Sequence, residues 1–144
     1  MRKYTDCPVV LRDFLTYHET IKGQSQLTIS EYYLDLRMFL RFIKLMRHEM
    51  SMSTPLDDIS IKDIDLKFIQ DINTSDIFDF LSYLANDRNP DPDSPAPDLG
   101  ISATSRARKL SAIKSFYKYL TVRTKQLEEN PVADLEYPKL RKSL

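Results

Sequence analysis

Apolar residues recur along this chain at helical spacing, and no segment shows convincing strand alternation. Val10, Phe14 and Tyr17 fall at i, i+4 and i+7 with Leu11 and Leu15 beside them. That spacing predicts a short amphipathic helix over 9–21. Pro8 suits its first turn and Gly23 its stop. The clearest helix is predicted over 28–50. Tyr32, Leu36, Phe39, Leu40, Ile43, Met46 and Met50 share one side of it, and Thr28 and Glu31 have the spacing of a capping box. Pro55 prevents any continuation. Leu34, Met38 and Leu45 lie away from that seam, which calls for a second packing partner within the fold or, less often, a partner-protein or DNA contact.

The middle of the chain is less regular. Ile61, Ile64 and Phe68 can line a short helix opening near Ser60. Thr74 or Ser75 then caps another, carrying Ile77, Phe80, Leu81 and Leu84, with Asp76 and Asp79 in the early turns where the helix dipole favours carboxylates. RNPDPDSPAPDLG (88–100) holds four of the eight prolines and reads as a loop inserted between helices. Ser102 or Thr104 opens the last long helix, to about Val122, with Leu110, Ile113, Phe116, Tyr117 and Leu120 on its apolar face. Asn130-Pro131 starts a short turn before Pro138. Two glycines in 144 residues argue against a turn-rich β fold. The fold class is therefore all-α, a compact bundle of four to five helices around one core. Residues 1–137 form that domain, and 138–144 begin a linker.

Charge changes this picture because it is segregated. The formal net charge is zero. Residues 1–50 carry eight Lys/Arg against six Asp/Glu, residues 51–100 three against eleven, and residues 101–144 ten against four. An acidic middle and a basic end hint at an anionic polymer as partner. The neutral reading is a merely dipolar domain.

Catalytic motifs are missing. There is no H-E-x-x-H, no glycine-rich phosphate loop and no strained serine elbow. Cys7 is the only cysteine, so neither an intramolecular disulfide nor a cysteine metal site is possible. His18 and His48 sit on separate helices. His18 reads as a partly exposed helix residue, and His48 as an extension of a basic stripe. No cofactor and no small-molecule substrate is expected. With no apolar run near ~18 residues and no signal-peptide pattern, no membrane association is expected either, and the location is cytoplasmic.

Duplex DNA is the better-supported partner. Two helices each pair an apolar side with a cationic one. On the second helix Arg37, Arg41 and Lys44 recur at i, i+4 and i+7. On the last, Thr104, Arg108, Ser111, Ser115 and Lys118 form the polar side with Lys114 at its edge. Cations neutralise phosphates and release counterions, and hydroxyls add short hydrogen bonds to phosphates or base edges. For either helix alone, an ordinary solvated face accounts equally well for the pattern. Arg106 and Lys109 lie nearer the apolar phase, where their stems pack or reach past the core edge.

Three stretches resemble one family. Thr28-x-x-x-Tyr32-x-x-Asp35-Leu36-x-x-Phe39-x-x-Phe42 resembles the second-helix pattern of the N-terminal, SAM-like domain of phage integrases. Ser105-x-x-Arg108-x-Leu110-Ser111-Ala112-Ile113-Lys114-x-Phe116-Tyr117-x-x-Leu120 is similar to the R-x-L-S-A-L-R-x-F-Y segment of Xer-type tyrosine recombinases. Asn130-Pro131 with Leu135, then Pro138-Lys139-Leu140, resembles the exit of the same domain. The resemblance spans about residues 9–142, although 88–100 is longer and richer in proline than the family's usual loop.

The resemblance implies a core-binding domain that clamps one face of duplex DNA while a larger C-terminal domain clamps the other. In the family that second domain supplies an Arg/Lys/His set and the tyrosine that forms a 3′-phosphotyrosyl link. No His-x-x-Arg or tyrosine box is present, so no catalytic residue is carried over. The expectation is a non-catalytic fragment of a tyrosine recombinase encoded by a bacterium or mobile element, monomeric off DNA, with a full-length parent tetrameric on it. Carried over by position, Ser105, Arg108 and Lys114 match DNA-facing sites, and Thr28 and Tyr32 match the second-helix signature. Two other classes remain open on the residues alone. One is a helical protein-interaction module, the other a stand-alone DNA-binding regulator.

Overall fold

The computed structural model describes residues 4–47, 51, 53–87 and 102–139. Among them lie α1 (Val9–Thr20), α2 (Gln26–Met46), α3 (Leu66–Gln70), α4 (Thr74–Ser82) and α5 (Ala103–Lys118). A 3-10 turn, Leu56–Asp58, precedes α3, and single π-helical turns, Tyr83–Asp87 and Tyr119–Arg123, extend α4 and α5. No strand occurs among the described residues, so the expected all-α bundle is what forms. None of the described helices is long and apolar enough to cross a membrane. The expectations for His48, Met50, the loop 88–100 and residues 140–144 lie outside the described residues.

The helix starts follow local hydrogen-bond chemistry, in places a few residues from where spacing put them. Ser25, in extended backbone, accepts from the Thr28 amide at 3.2 Å and opens α2. Thr28 therefore sits inside the first turn, and the Thr28–Glu31 capping box does not form. Helix α4 opens on Asn73, not Thr74 or Ser75. Its side chain accepts from the Asp76 amide at 2.9 Å while Asp76 accepts from the Asn73 amide at 3.0 Å. Thr74 instead donates to the carbonyl of Pro131 at 2.8 Å, tying α4 to the exit segment. The helix expected from Ser60 is shorter. Asp65 caps α3, and Ile59, Ile61 and Ile64 enter the core from turns. Ser102 caps α5 as expected. Gly23 has φ +66°, a left-handed conformation that suits glycine after the end of α1.

One core joins these elements. Leu11, Phe14 and Leu15 of α1 meet Ile29, Leu36, Phe39 and Leu40 of α2, Ile77 and Phe80 of α4, Leu110, Ile113, Phe116 and Tyr117 of α5, and Leu120 of the turn that extends it. Aromatic edges set the contacts: Phe14 lies 5.3 Å from Phe116, and Phe39 lies 5.2 Å from Phe80. Such side chains each contribute about 1.5–3 kcal/mol when fully buried. Tyr117 is buried too, and its hydroxyl donates to the Ile69 carbonyl at 2.9 Å, fixing α3 to α5. Burial pushes its phenol pKa far above the usual range. Of the three residues off the α2 seam, Leu45 is buried and Met38 packs against the core, while Leu34 stays 49% exposed.

His18 departs from expectation. It is buried, not partly exposed. Its ring lies among Phe14, Tyr17 and Tyr32, with Nδ1 2.7 Å from Oε1 of Gln24. Burial lowers its pKa below 6.5, and the Gln24 hydrogen bond opposes that shift.

Candidate nucleic-acid interface

The polar side of α5 is real. Thr104, Arg108, Ser111 and Lys118 are exposed, and Ser105, Lys114 and Ser115 are partly so. They stay outside because Leu110, Ile113, Phe116, Tyr117 and Leu120 claim the opposite side of the helix. Short hydroxyls alternate with long cations along this strip, so the helix can approach a groove closely.

Arg108 is anchored rather than free. Its Nε and Nη2 donate to the two oxygens of Asp35 in α2, each at 3.2 Å. Its neighbour Lys109 donates to the same carboxylate at 2.7 Å. Asp35 and Lys109 are buried, whereas the Arg108 side chain remains 52% exposed. Lys109 thus packs its stem, one of the two outcomes its phase allowed. Thr28 lies two turns before Asp35, on the same flank of α2.

The second cationic ridge is corrected. Arg37 is half-buried, its guanidinium 5.1 Å from the Tyr33 ring. Arg41 and Lys44 are buried. Arg41 donates from Nε to the carbonyl of Ile59 at 2.8 Å and pairs with Asp6 and Asp57, each at 3.5 Å. Lys44 donates to the Ser60 carbonyl at 2.9 Å and to Asp63 at 2.6 Å. That hydrogen bond holds the Asp63 pKa below the usual carboxylate range. The segment after α2 folds back over these cations, because buried main-chain carbonyls and nearby carboxylates need donors. At about 100° per residue, Arg37 also lies about 160° around α2 from Asp35. The two cationic sets therefore occupy opposite flanks of α2.

The exit segment shares part of the α5 strip. Lys114 donates to the Leu135 carbonyl, and its ammonium lies 4.9 Å from the Tyr137 ring centroid. Ser111 donates to the Tyr137 hydroxyl at 3.2 Å. Thr104, Ser105, Arg108 and Lys118 are left clear of these contacts.

Sequence reasoning missed Asp35, Lys109 and Tyr137 as members of this site. A faint signal existed for Asp35, an acid beside the apolar seam of α2 and within the second-helix family pattern. Its partners are 73 and 74 residues away, beyond what periodicity can pair.

Comparison with known proteins agrees with this architecture. The family described as phage integrase, N-terminal SAM-like domain, matches residues 11–124. Tyrosine recombinase XerC of Caldanaerobacter subterraneus subsp. tengcongensis is 38% identical over 133 residues, covering 92% of this chain and 35% of that protein. Tyrosine recombinase XerD of Shewanella oneidensis is 29% identical over 144 residues, covering 100% of this chain and 37% of the relative. Tyrosine recombinase XerC of Myxococcus xanthus is 30% identical over 140 residues, covering 97% and 36%. The chain thus spans about a third of the length of these relatives. No solved structure matches it significantly. With five α-helices among its described residues and the match over most of its length, the chain belongs to the phage-integrase N-terminal SAM-like domain family found in tyrosine recombinases.

Proposed function

We propose that this domain binds duplex DNA through the outer strip of α5, as the core-binding unit of a site-specific tyrosine recombinase acting in the cytoplasm. The observation that carries the reading is the exposed run Thr104, Arg108, Ser111 and Lys118 on one side of a helix whose other side is core. Arg108 and Lys118 meet phosphates, Thr104 and Ser105 add hydrogen bonds at the helix start, and Thr28 approaches from the adjoining flank of α2. Lys114 and Ser111 contribute where the exit segment allows. Arg37 is a peripheral contact at most. Arg41 and Lys44 are assigned to the fold and not to DNA, since both are buried on protein partners. Strand cleavage and religation belong to the part of the relatives that this chain does not match.

The test is duplex binding by fluorescence anisotropy across a salt series. Affinity should fall steeply with salt. Arg108→Glu with Lys118→Glu should reduce both the affinity and the salt slope, by about 0.9 for each phosphate that is no longer neutralised. Parental binding by a folded double variant would remove the assigned face. No binding to the duplex even at low salt would favour a protein-interaction role instead.

A further inference from the structure

Asp35 is the one buried acid among the described residues. A carboxylate placed in a helix interface is costly unless it is paired. Lys109, itself buried, already supplies a cation to it at 2.7 Å. Arg108 is not needed for that purpose, yet it grips the same group with two parallel bonds of 3.2 Å while half of its side chain stays in solvent.

Resting on the duplex-binding reading, the geometry points to Asp35 as a positioning residue that holds the Arg108 guanidinium in the pose at which it meets the DNA backbone. A guanidinium is a rigid planar fork of five N–H donors. The side-on grip uses Nε and one N–H of Nη2, so the remaining donors point away from Asp35. An unanchored arginine must give up its rotamer freedom when it binds a phosphate. This arginine gives it up on folding, so the contact costs less when DNA arrives. Asp35 does not cancel the attraction, because two cations share one anion and the cluster stays net positive. Ser105 and Thr104 lie on the adjoining turn of α5, so a fixed guanidinium and short hydroxyls present one preformed edge.

The experiment measures binding of the 144-residue chain to a short fluorescein-labelled duplex of mixed sequence at about 0.1 M salt. Arg108→Ala in the parent is expected to weaken binding roughly tenfold, the share of one phosphate contact. The pair Asp35→Asn with Lys109→Met removes one anion and one cation, so it leaves the cluster's charge unchanged. It is expected to lose most of that tenfold, and Arg108→Ala added to it to cost less than about twofold more. Parental affinity in the charge-neutral pair, or a full tenfold loss when Arg108→Ala is added to it, would overturn the positioning role and leave the duplex-binding reading standing. Unchanged binding on Arg108→Ala in the parent would overturn both. If circular dichroism shows the pair unfolded, Arg108→Lys decides, because that half-exposed position tolerates it. Arg108→Lys keeps the charge without the two-bond grip, so it should lose most of the tenfold. Parental binding by Arg108→Lys would overturn the role.

Discussion

Lys44 of α2 donates to the carboxylate of Asp63 at 2.6 Å, across 19 residues of chain. Together with Arg41, it turns what helical spacing reads as a surface ridge into a clasp on the connection between α2 and α3. Arg41 also holds the N-terminal segment, since it pairs with Asp6, which accepts from the Ile61 amide at 2.9 Å. Arg41→Met should therefore destabilise the domain by about 2–3 kcal/mol, the range for losing hydrogen bonds from a charged donor. Lys44→Met should cost less, about 1–2 kcal/mol, because Asp63 is largely exposed and its pairing is screened. Urea unfolding measures both. Neither variant, once folded, should change duplex affinity by more than about twofold, less than removal of a cation from a phosphate would cause.

Tyr137 sits where the exit segment crosses α5, accepting from Ser111 and covering the Lys114 ammonium. Tyr137→Ala should uncover both. Exposed cation–π and hydroxyl contacts contribute little, so stability should fall by about 1 kcal/mol or less. If the α5 strip meets DNA, affinity should stay level or rise by up to about threefold, with the salt slope unchanged or steeper. A clear drop in affinity on anisotropy would instead place the Tyr137 ring itself in the contact.

His18 makes stability depend on pH. Burial among aromatic rings lowers its pKa below 6.5, against a hydrogen bond to Gln24 that works the other way. The unfolded chain therefore takes up the proton first. The stability that neutral His18 contributes is fully present above about pH 6.5 and is lost as pH falls toward the folded-state value. Melting temperature should drop between about pH 7 and pH 5 more steeply in the parent than in His18→Phe. Parallel curves for the two proteins would rule this out.

Asn73 and Asp76 close α4 reciprocally at 2.9 and 3.0 Å. Asp76 also takes Arg47 at 3.3 Å. Asn73→Ala should cost about 1 kcal/mol and Asp76→Ala more, since Asp76 serves a second partner. Equal losses in chemical denaturation would mean that the Arg47 bond adds nothing.

Local pattern was enough for the helices and for the exposed polar side of α5. The spacing of Phe14, Leu36, Phe80 and Phe116 identifies the buried sides. The hydroxyl and cation pattern of α5 identifies its outer side, and the structure leaves Thr104, Arg108, Ser111 and Lys118 there. These properties follow from a period of about 3.6 residues, which any window of the sequence displays. The start of α2 at Ser25, the cap at Asn73 and the shortness of α3 differ from expectation because several hydroxyl and amide side chains compete for the same amides. Burial of the neighbouring turns selects among them.

What only the tertiary structure decided is where each charge ends up. Arg37, Arg41 and Lys44 carry the same helical signal as the α5 strip. Two of them are buried because residues 57–63 fold back with carbonyls and carboxylates that need donors. Asp35 looks like any helix acid until α5 brings two cations to it from the far end of the chain. A charge on a helix surface finds its energy in whatever element packs nearest. That neighbour is set by how the core closes, which no periodicity within one helix encodes.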